Sequence, residues 1–393
     1  MVNRQFWLSQ IEKAFIRYSV IWLSGVRRSG KTFLCQSLPK IEYFDCELPS
    51  TRRMLEDPES FLSEQSGKIL ILDEIHRLGN PSELLKIASD HFKNVKIIAT
   101  GSSTLGASKK FRDTLTGRKA DIWLTPIIAQ DLKDFGQTPL EHRLLRGGLP
   151  PFFMSKQHDE KAFTEWMDGF WSKDIQELFR LEKRYSFQKF VELLHIQSGG
   201  IFEATSFAKP CEASRATINN YLGILEATFL VHILRPYHTA RANEITNAPK
   251  VYAFDTGFVC HYRGWKDLRP EDKGILWEHF VLNELQARLQ IRTFNYWRDK
   301  QKHEIDIIIS RSQKPPIAIE CKWRANSFDD SSIVPFLRAY PQAMVFVVTT
   351  DTPHPYTRRI AGTTVHFTGL ESCLTQLIKE QWPSFKELSR NSS

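Results

Sequence analysis

The chain has 393 residues, more than one hydrophobic core accommodates, because single cores stop growing near about 250–300 residues. Hydrophobic residues at 41% and charged residues at 25% exclude a disordered or collagen-like chain. The excess of 53 Lys+Arg over 45 Asp+Glu gives a formal charge of +8 without any long basic run, a balance that admits nucleic acid as a partner without requiring it.

No apolar stretch approaches the roughly 20 residues of a spanning helix, so no membrane partner is expected. The opening MVNRQFWLSQIEKAF reads as an amphipathic helix and not as a leader. The six cysteines stand far apart, which argues for reduced thiols and a cytoplasmic location.

The apolar run Val20-Ile21-Trp22-Leu23 predicts a buried strand, and it leads directly into Gly25-Val26-Arg27-Arg28-Ser29-Gly30-Lys31-Thr32 and a helix from about Phe33. This is a P-loop in its required strand-to-helix context. Its glycines let successive backbone N–H groups turn toward a phosphate chain, so residues Gly25 through Phe33 are the expected nucleotide cradle. Lys31 would reach the terminal phosphates and the Thr32 hydroxyl would hold Mg²⁺. A short strand over Ile41–Asp45 follows, and then Ile69-Leu70-Ile71-Leu72 ends in Asp73-Glu74. In a parallel sheet such a strand delivers Asp73 to support Mg²⁺ and Glu74 to orient and deprotonate the attacking water. His76, with no spaced partner, reads as structural.

The run Val95–Ser103 is another apolar strand closing in small hydroxyl residues, and Ser102 is its candidate contact to the γ-phosphate or the water. Thr116-Gly117-Arg118 precedes a strand over Ala120–Leu124. Arg118 is the candidate arginine finger, serving its own site or that of a neighbouring subunit in a homo-oligomer. No guanine-reading Asn/Thr-Lys-x-Asp pattern is present, which favours ATP.

From Ile127 to Arg184 the pattern is helical, with Phe163, Trp166, Met167, Phe170, Trp171, Ile175 and Leu178 at helical spacing for packing. Helix signals at 187–197, 205–209 and 212–226 are followed by strands at 229–234 and 250–254. That is the element order of a winged helix, whose third helix would offer Arg215, Thr217, Asn219 or Asn220 to DNA.

A helix over Gly274–Gln290 carries Glu278. Strand-like runs follow at 293–297, at His303–Ile309 with Glu304 and Asp306 on one face, and at Ile317–Trp323 with Glu320 and Lys322 on one face. Carboxylates from a helix and two strands, beside a lysine, suit metal-assisted phosphodiester cleavage. Asp306 and Glu320, with the Cys321 carbonyl, would bind Mg²⁺ and Glu278 would add a ligand. Lys322 would orient the water and stabilise developing charge.

Taken together, GVRRSGKT (25–32), ILILDEIH (69–76), IIATGSS (97–103), LTGR (115–118), GGLP (147–150), KVYAFDTG (250–257) and the carboxylate set resemble prokaryotic AAA-type ATPases with a C-terminal domain of the restriction-endonuclease-like superfamily. The resemblance implies an α/β multidomain chain. Its parts are a P-loop core at 1–126, a helical lid at 127–185, a winged-helix-like domain at 186–269 and a nuclease-like α/β domain at 270–393. It further implies that the Asp73 strand is not directly beside the P-loop strand, and that an ATP- and Mg²⁺-dependent ATPase acts with the nuclease-like domain on DNA. The alternative reading is an ATP-controlled DNA- or protein-binding regulator with an inactive nuclease fold.

Overall fold

The computed structural model describes residues 2–101, 109–155, 157, 159–238 and 248–381. Packing divides the chain into two units, one of residues 1–189 with 216–230, the other of 190–215 with 231–393. Among the described residues no helix is long and apolar enough to cross a membrane.

The first unit is built on five strands, β1 (Val20–Ser24), β2 (Ile41–Asp45), β3 (Ile69–Asp73), β4 (Lys96–Ala99) and β5 (Lys119–Trp123). They pair in the order β2-β3-β4-β1-β5, all parallel. Parallel sheets are covered on both faces, and the continuous apolar runs of β1, β3 and β4 are correspondingly buried. The P-loop strand β1 lies between β4 and β5, and the Asp73 strand β3 is one strand removed, as the resemblance implies. One face packs on the helix Pro81–His91, which opens on a proline at its first turn and buries Leu84, Leu85 and Ala88. Each such leucine contributes about 1.5–3 kcal/mol of burial.

The N-terminal helix runs from Gln5 to Arg17 and buries Trp7 and Ile11, four residues apart on one face. Just before it, the buried Arg4 pairs with Asp131 at 2.5 Å and donates to the Ser29 and Thr125 carbonyls at 3.2 and 3.3 Å. The start of the chain is thereby tied beneath the P-loop. Short helices at Ala129–Asp134, Leu140–Arg146 and Pro150–Phe153 precede a helix at Glu160–Phe170, which continues into a π-helical turn at Trp171–Gln176. The aromatic stripe from Phe163 to Ile175 is buried as packing.

The second unit contains β6 (Gly200–Ile201), β7 (Val231–Pro236), β8 (Lys250–Ala253), β9 (Asn295–Arg298), β10 (Glu304–Ile309), β11 (Ile317–Cys321), β12 (Met344–Thr349), β13 (Tyr356–Ile360) and β14 (Thr363–Gly369). They form one mixed sheet in the order β13-β14-β12-β11-β10-β9-β7-β8-β6. Its core gathers Ile305, Ile308, Ala318, Val345, Val347 and Val365 against Ile333, Phe336 and Leu337. The 20-residue helix Pro270–Leu289 carries Glu278.

The elements read from the sequence as a winged helix run in the expected order. The three helices are present, at Arg184–Ile196, Ala204–Ala208 and Arg215–Ala227. β7 and β8, the strands read as a wing, pair with each other, β8 also pairs with β6, and β7 joins β9 in parallel at Arg235↔Asn295 and Pro236↔Tyr296. Main-chain bonding to β9 draws the hairpin into the C-terminal sheet, so the segment 186–269 contributes to both units and forms no unit of its own.

Candidate functional site

The loop after β1 needs its glycines for definite reasons. Gly25 has φ +151°, and a Cβ there would meet the Leu124 carbonyl oxygen at 2.4 Å. Gly30, at φ +95°, turns the chain into the helix Lys31–Gln36. Lys31 Nζ donates to the Gly25 and Val26 carbonyls at 3.0 and 3.2 Å. Burial pushes the Lys31 ammonium below its ordinary value, against the pull of Glu74, Asp174 and Asp73.

At the end of β3, Asp73 is the convergence point. Its Oδ2 accepts from Thr32 Oγ1 at 2.9 Å and from the Tyr43 hydroxyl at 2.6 Å, and its Oδ1 accepts from Thr100 Oγ1. Glu74 follows in the left-handed conformation at φ +52°, uncommon for a non-glycine residue. Its backbone N–H donates to Thr100 Oγ1 at 3.3 Å, and its carboxylate meets His76 Nδ1 at 3.2 Å. The His76 hydrogen bond, outweighing burial, holds the Glu74 carboxyl below its usual range. His76, expected to be structural, has Glu74 as a partner in the site.

These groups face one cavity of about 790 Å³, within the range for small-molecule sites. Gly25, Arg27, Arg28, Gly30, Lys31, Thr32, Phe33, Asp73 and Glu74 all line it. Val26 and Ser29 are buried in the loop and act through their carbonyls, Val26 toward Lys31 and Ser29 toward Arg4. Ser102 lies outside the described residues. Phe33, Pro150, Pro151 and Met154 add apolar lining to the cavity. The GGLP run explains itself there. Gly148 makes room for the buried Arg143, whose guanidinium would lie 2.4 Å from a Cβ, and Pro150 and Pro151 follow directly into the cavity wall.

Arg118 is not in this cavity. Its Nε pairs with Asp90 at 2.7 Å and its Nη1 donates to the Thr114 carbonyl at 3.2 Å. Of the two roles expected for it, its own chain's site or a neighbouring subunit's, it takes no place in its own chain's cavity. A residue not foreseen takes a place instead: Asp174, on the π-helical turn, lines the cavity and faces Arg27 at 3.6 Å. Burial, opposed by Arg27 and Lys31, raises its carboxyl to about 6.

In the second unit Glu278, Asp306, Glu320 and Lys322 do converge, but with further members. Lys250 Nζ, on a side chain 6% exposed, lies 2.8 Å from Glu278, 2.7 Å from Glu304 and 3.9 Å from Asp306. The Tyr252 hydroxyl donates to Glu278. Lys322 Nζ pairs with Glu320 at 2.6 Å, and the Cys321 N–H donates to Asp306 at 2.8 Å. Burial and the neighbouring Glu278 and Glu320 drive the Asp306 carboxyl well above its ordinary range. Burial also raises that of Glu320, against the pull of Lys322. For Glu278, burial is overcome by the charge and hydrogen bonds of Lys250, and its carboxyl is lowered.

Among the described residues no group of three or more His, Cys, Asp or Glu side chains is arranged to hold a metal ion. Of the residues read from the sequence as metal ligands, Glu278 meets the Lys250 ammonium and Glu320 that of Lys322, while Asp306 accepts from the Cys321 N–H. Lys250 and Tyr252 lie in the KVYAFDTG run. Their alternation on one strand face was legible in the sequence, but the strand's place in the C-terminal sheet was not.

Fold and first site together describe a P-loop nucleoside-triphosphatase core. Residues 17–132 match the AAA domain family, while 137–269 and 273–366 match two families described as domains of unknown function, DUF8612 and DUF4143. An uncharacterized protein of Mycobacterium tuberculosis is 28% identical over 328 residues, 80% of this chain and 73% of that one. Among solved structures, AMPPCP-bound DnaA from Aquifex aeolicus is similar at 12% identity and TM-score 0.28, over 57% of this chain and 88% of that one. A signal-transduction ATPase with a tetratricopeptide-repeat sensor from Pyrococcus horikoshii is similar at 12% identity and TM-score 0.28. The match takes in 72% of this chain and only 46% of that longer one. The AAA match supports an AAA-type ATPase in the first third of the chain.

Proposed function

We propose that the chain binds and hydrolyses ATP in the cavity of its first unit and couples that cycle to a nuclease-like C-terminal unit that engages DNA. The observation that carries the ATPase reading is the meeting of Thr32 and Asp73 at 2.9 Å beside Lys31 and Glu74 in one cavity. Thr32 and Asp73 offer hard oxygen donors that fit Mg²⁺, which when bound would neutralise charge on the terminal phosphates. Lys31 would leave its loop carbonyls for the phosphates. Glu74, kept ionised by His76, would take the proton of the attacking water. Arg118, paired on the surface with Asp90, remains available to a neighbouring subunit's site.

For the C-terminal unit two readings compete: Mg²⁺-dependent cutting, and ATP-controlled binding by an inactive nuclease fold. The ammonium of Lys250 among Glu278, Glu304 and Asp306 favours the second. The test is full-length protein with ATP, Mg²⁺ and single- or double-stranded DNA, with phosphate release and strand integrity read together. Lys31→Ala should lose nucleotide binding, and Glu74→Gln should keep it while slowing turnover by about 10²–10⁴-fold. Unchanged turnover in both variants removes the ATPase reading, and strand cutting lost in Asp306→Ala removes the binding-only reading. If Arg118 acts in trans, Arg118→Ala slows hydrolysis only under conditions where the chain self-associates.

A further inference from the structure

In the second unit Glu278, Glu304, Asp306 and Glu320 face the ammoniums of Lys250 and Lys322, and Arg298 Nε lies 3.7 Å from Glu304 Oε2. Glu320, 6% exposed, has an Oε2 that is buried without a hydrogen-bond partner. A buried carboxylate oxygen left unsatisfied is costly, and it marks a place where a cation's field is wanted. Lys250 supplies one from outside the nuclease-like strands. Its Nζ holds two carboxylates at hydrogen-bond distance and a third at 3.9 Å, the arrangement of an ion surrounded by oxygens and not of a single ion pair. A divalent cation needs oxygens at about 2.0–2.6 Å, and it cannot share that centre with an ammonium.

We propose that Lys250 is the resident cation of this carboxylate set, and that a divalent metal ion binds Glu278, Asp306 and Glu320 only when the Lys250 ammonium is withdrawn or removed. Divalent cation and lysine ammonium are then alternative occupants of one site. The inference rests on the nuclease-like reading of this unit, but neither on its cutting DNA nor on the ATPase reading.

The test uses full-length protein without nucleotide, titrated with Mn²⁺ by calorimetry, with Fe²⁺-generated radical cleavage of the chain to locate the ion. Wild type should show no ion site that Asp306→Asn removes and no chain cleavage near residues 278, 306 and 320. Lys250→Met, which keeps length and loses charge, should bind Mn²⁺ at least about tenfold more tightly. That binding should disappear in Lys250→Met/Asp306→Asn, and Mn²⁺ should raise the melting temperature of Lys250→Met but not of wild type. Lys250→Gln serves as the second variant. Should neither variant fold, wild type decides alone: radical cleavage around 278, 306 and 320 overturns the proposal, and its absence supports it. Folded variants that bind no ion also overturn it. Because no nucleotide or DNA is present, loss of ATPase or nuclease activity leaves this readout untouched.

Discussion

Asp174 offers a quantitative check on the nucleotide cavity. Its carboxyl is raised from an ordinary value near 3.8 to about 6, chiefly by burial. A native state that holds a proton more tightly than the unfolded chain has that stabilisation in full below pH 3.8 and loses it as the pH rises through about 6. At pH 7.5 the ionised Asp174 therefore costs up to about 3 kcal/mol relative to a neutral side chain of the same shape, and at pH 5 about 1.6 kcal/mol. The Arg27 contact, at 3.6 Å, is too long to be a hydrogen bond that asparagine would forfeit. Asp174→Asn should then be more stable than wild type at pH 7.5, with roughly half that advantage at pH 5. The assay is urea unfolding at both pH values, with amide exchange in the helix Glu160–Phe170 as the local report. A variant that is less stable at pH 7.5, or whose advantage is equal at both pH values, refutes the reasoning. The same substitution removes a negative charge from the cavity wall and should tighten ATP binding.

His76→Ala should move the acid limb of the turnover profile to higher pH, because the His76 hydrogen bond is what holds Glu74 below the usual carboxylate range; identical acid limbs would show that Glu74 is not the base. Gly25→Ala places a Cβ 2.4 Å from the Leu124 carbonyl oxygen. The strain, of order 1–3 kcal/mol, should appear as about tenfold or more weaker binding of a fluorescent ATP analogue, and unchanged affinity would contradict the loop's assigned geometry. Lys250→Met leaves buried carboxylates without their partner and should destabilise the second unit by about 3–5 kcal/mol at neutral pH, measured by urea unfolding. An unchanged midpoint would mean that the carboxylates are neutral in wild type.

Much of the first unit was legible because its chemistry is local. The P-loop is eight consecutive residues between a strand and a helix, and Asp73 and Glu74 end the strand that carries them, so spacing alone places each group at a strand's C-terminal end. Tyr43 and Thr100 were not legible as partners of Asp73. Their meeting follows from the lateral order β2-β3-β4, which no single strand encodes. Asp174 entered the cavity through a π-helical turn, which shifts side-chain directions relative to the helical spacing that the sequence suggests.

In the last third, alternation along β10 and β11 was enough to pair Glu304 with Asp306 and Glu320 with Lys322, since residues two apart share a face of a strand. The sequence by itself thus determined which chemical groups the chain offers and which of them share an element. Only the tertiary structure decided what faces them. The bonding of β7 to β9 brought β8 into the C-terminal sheet, and with it Lys250, 28 residues from Glu278 and 54 from Glu304. The physical reason is that side-chain periodicity is a property of one segment, whereas the cation that answers a buried carboxylate is chosen by the register and order of strands distant in the chain.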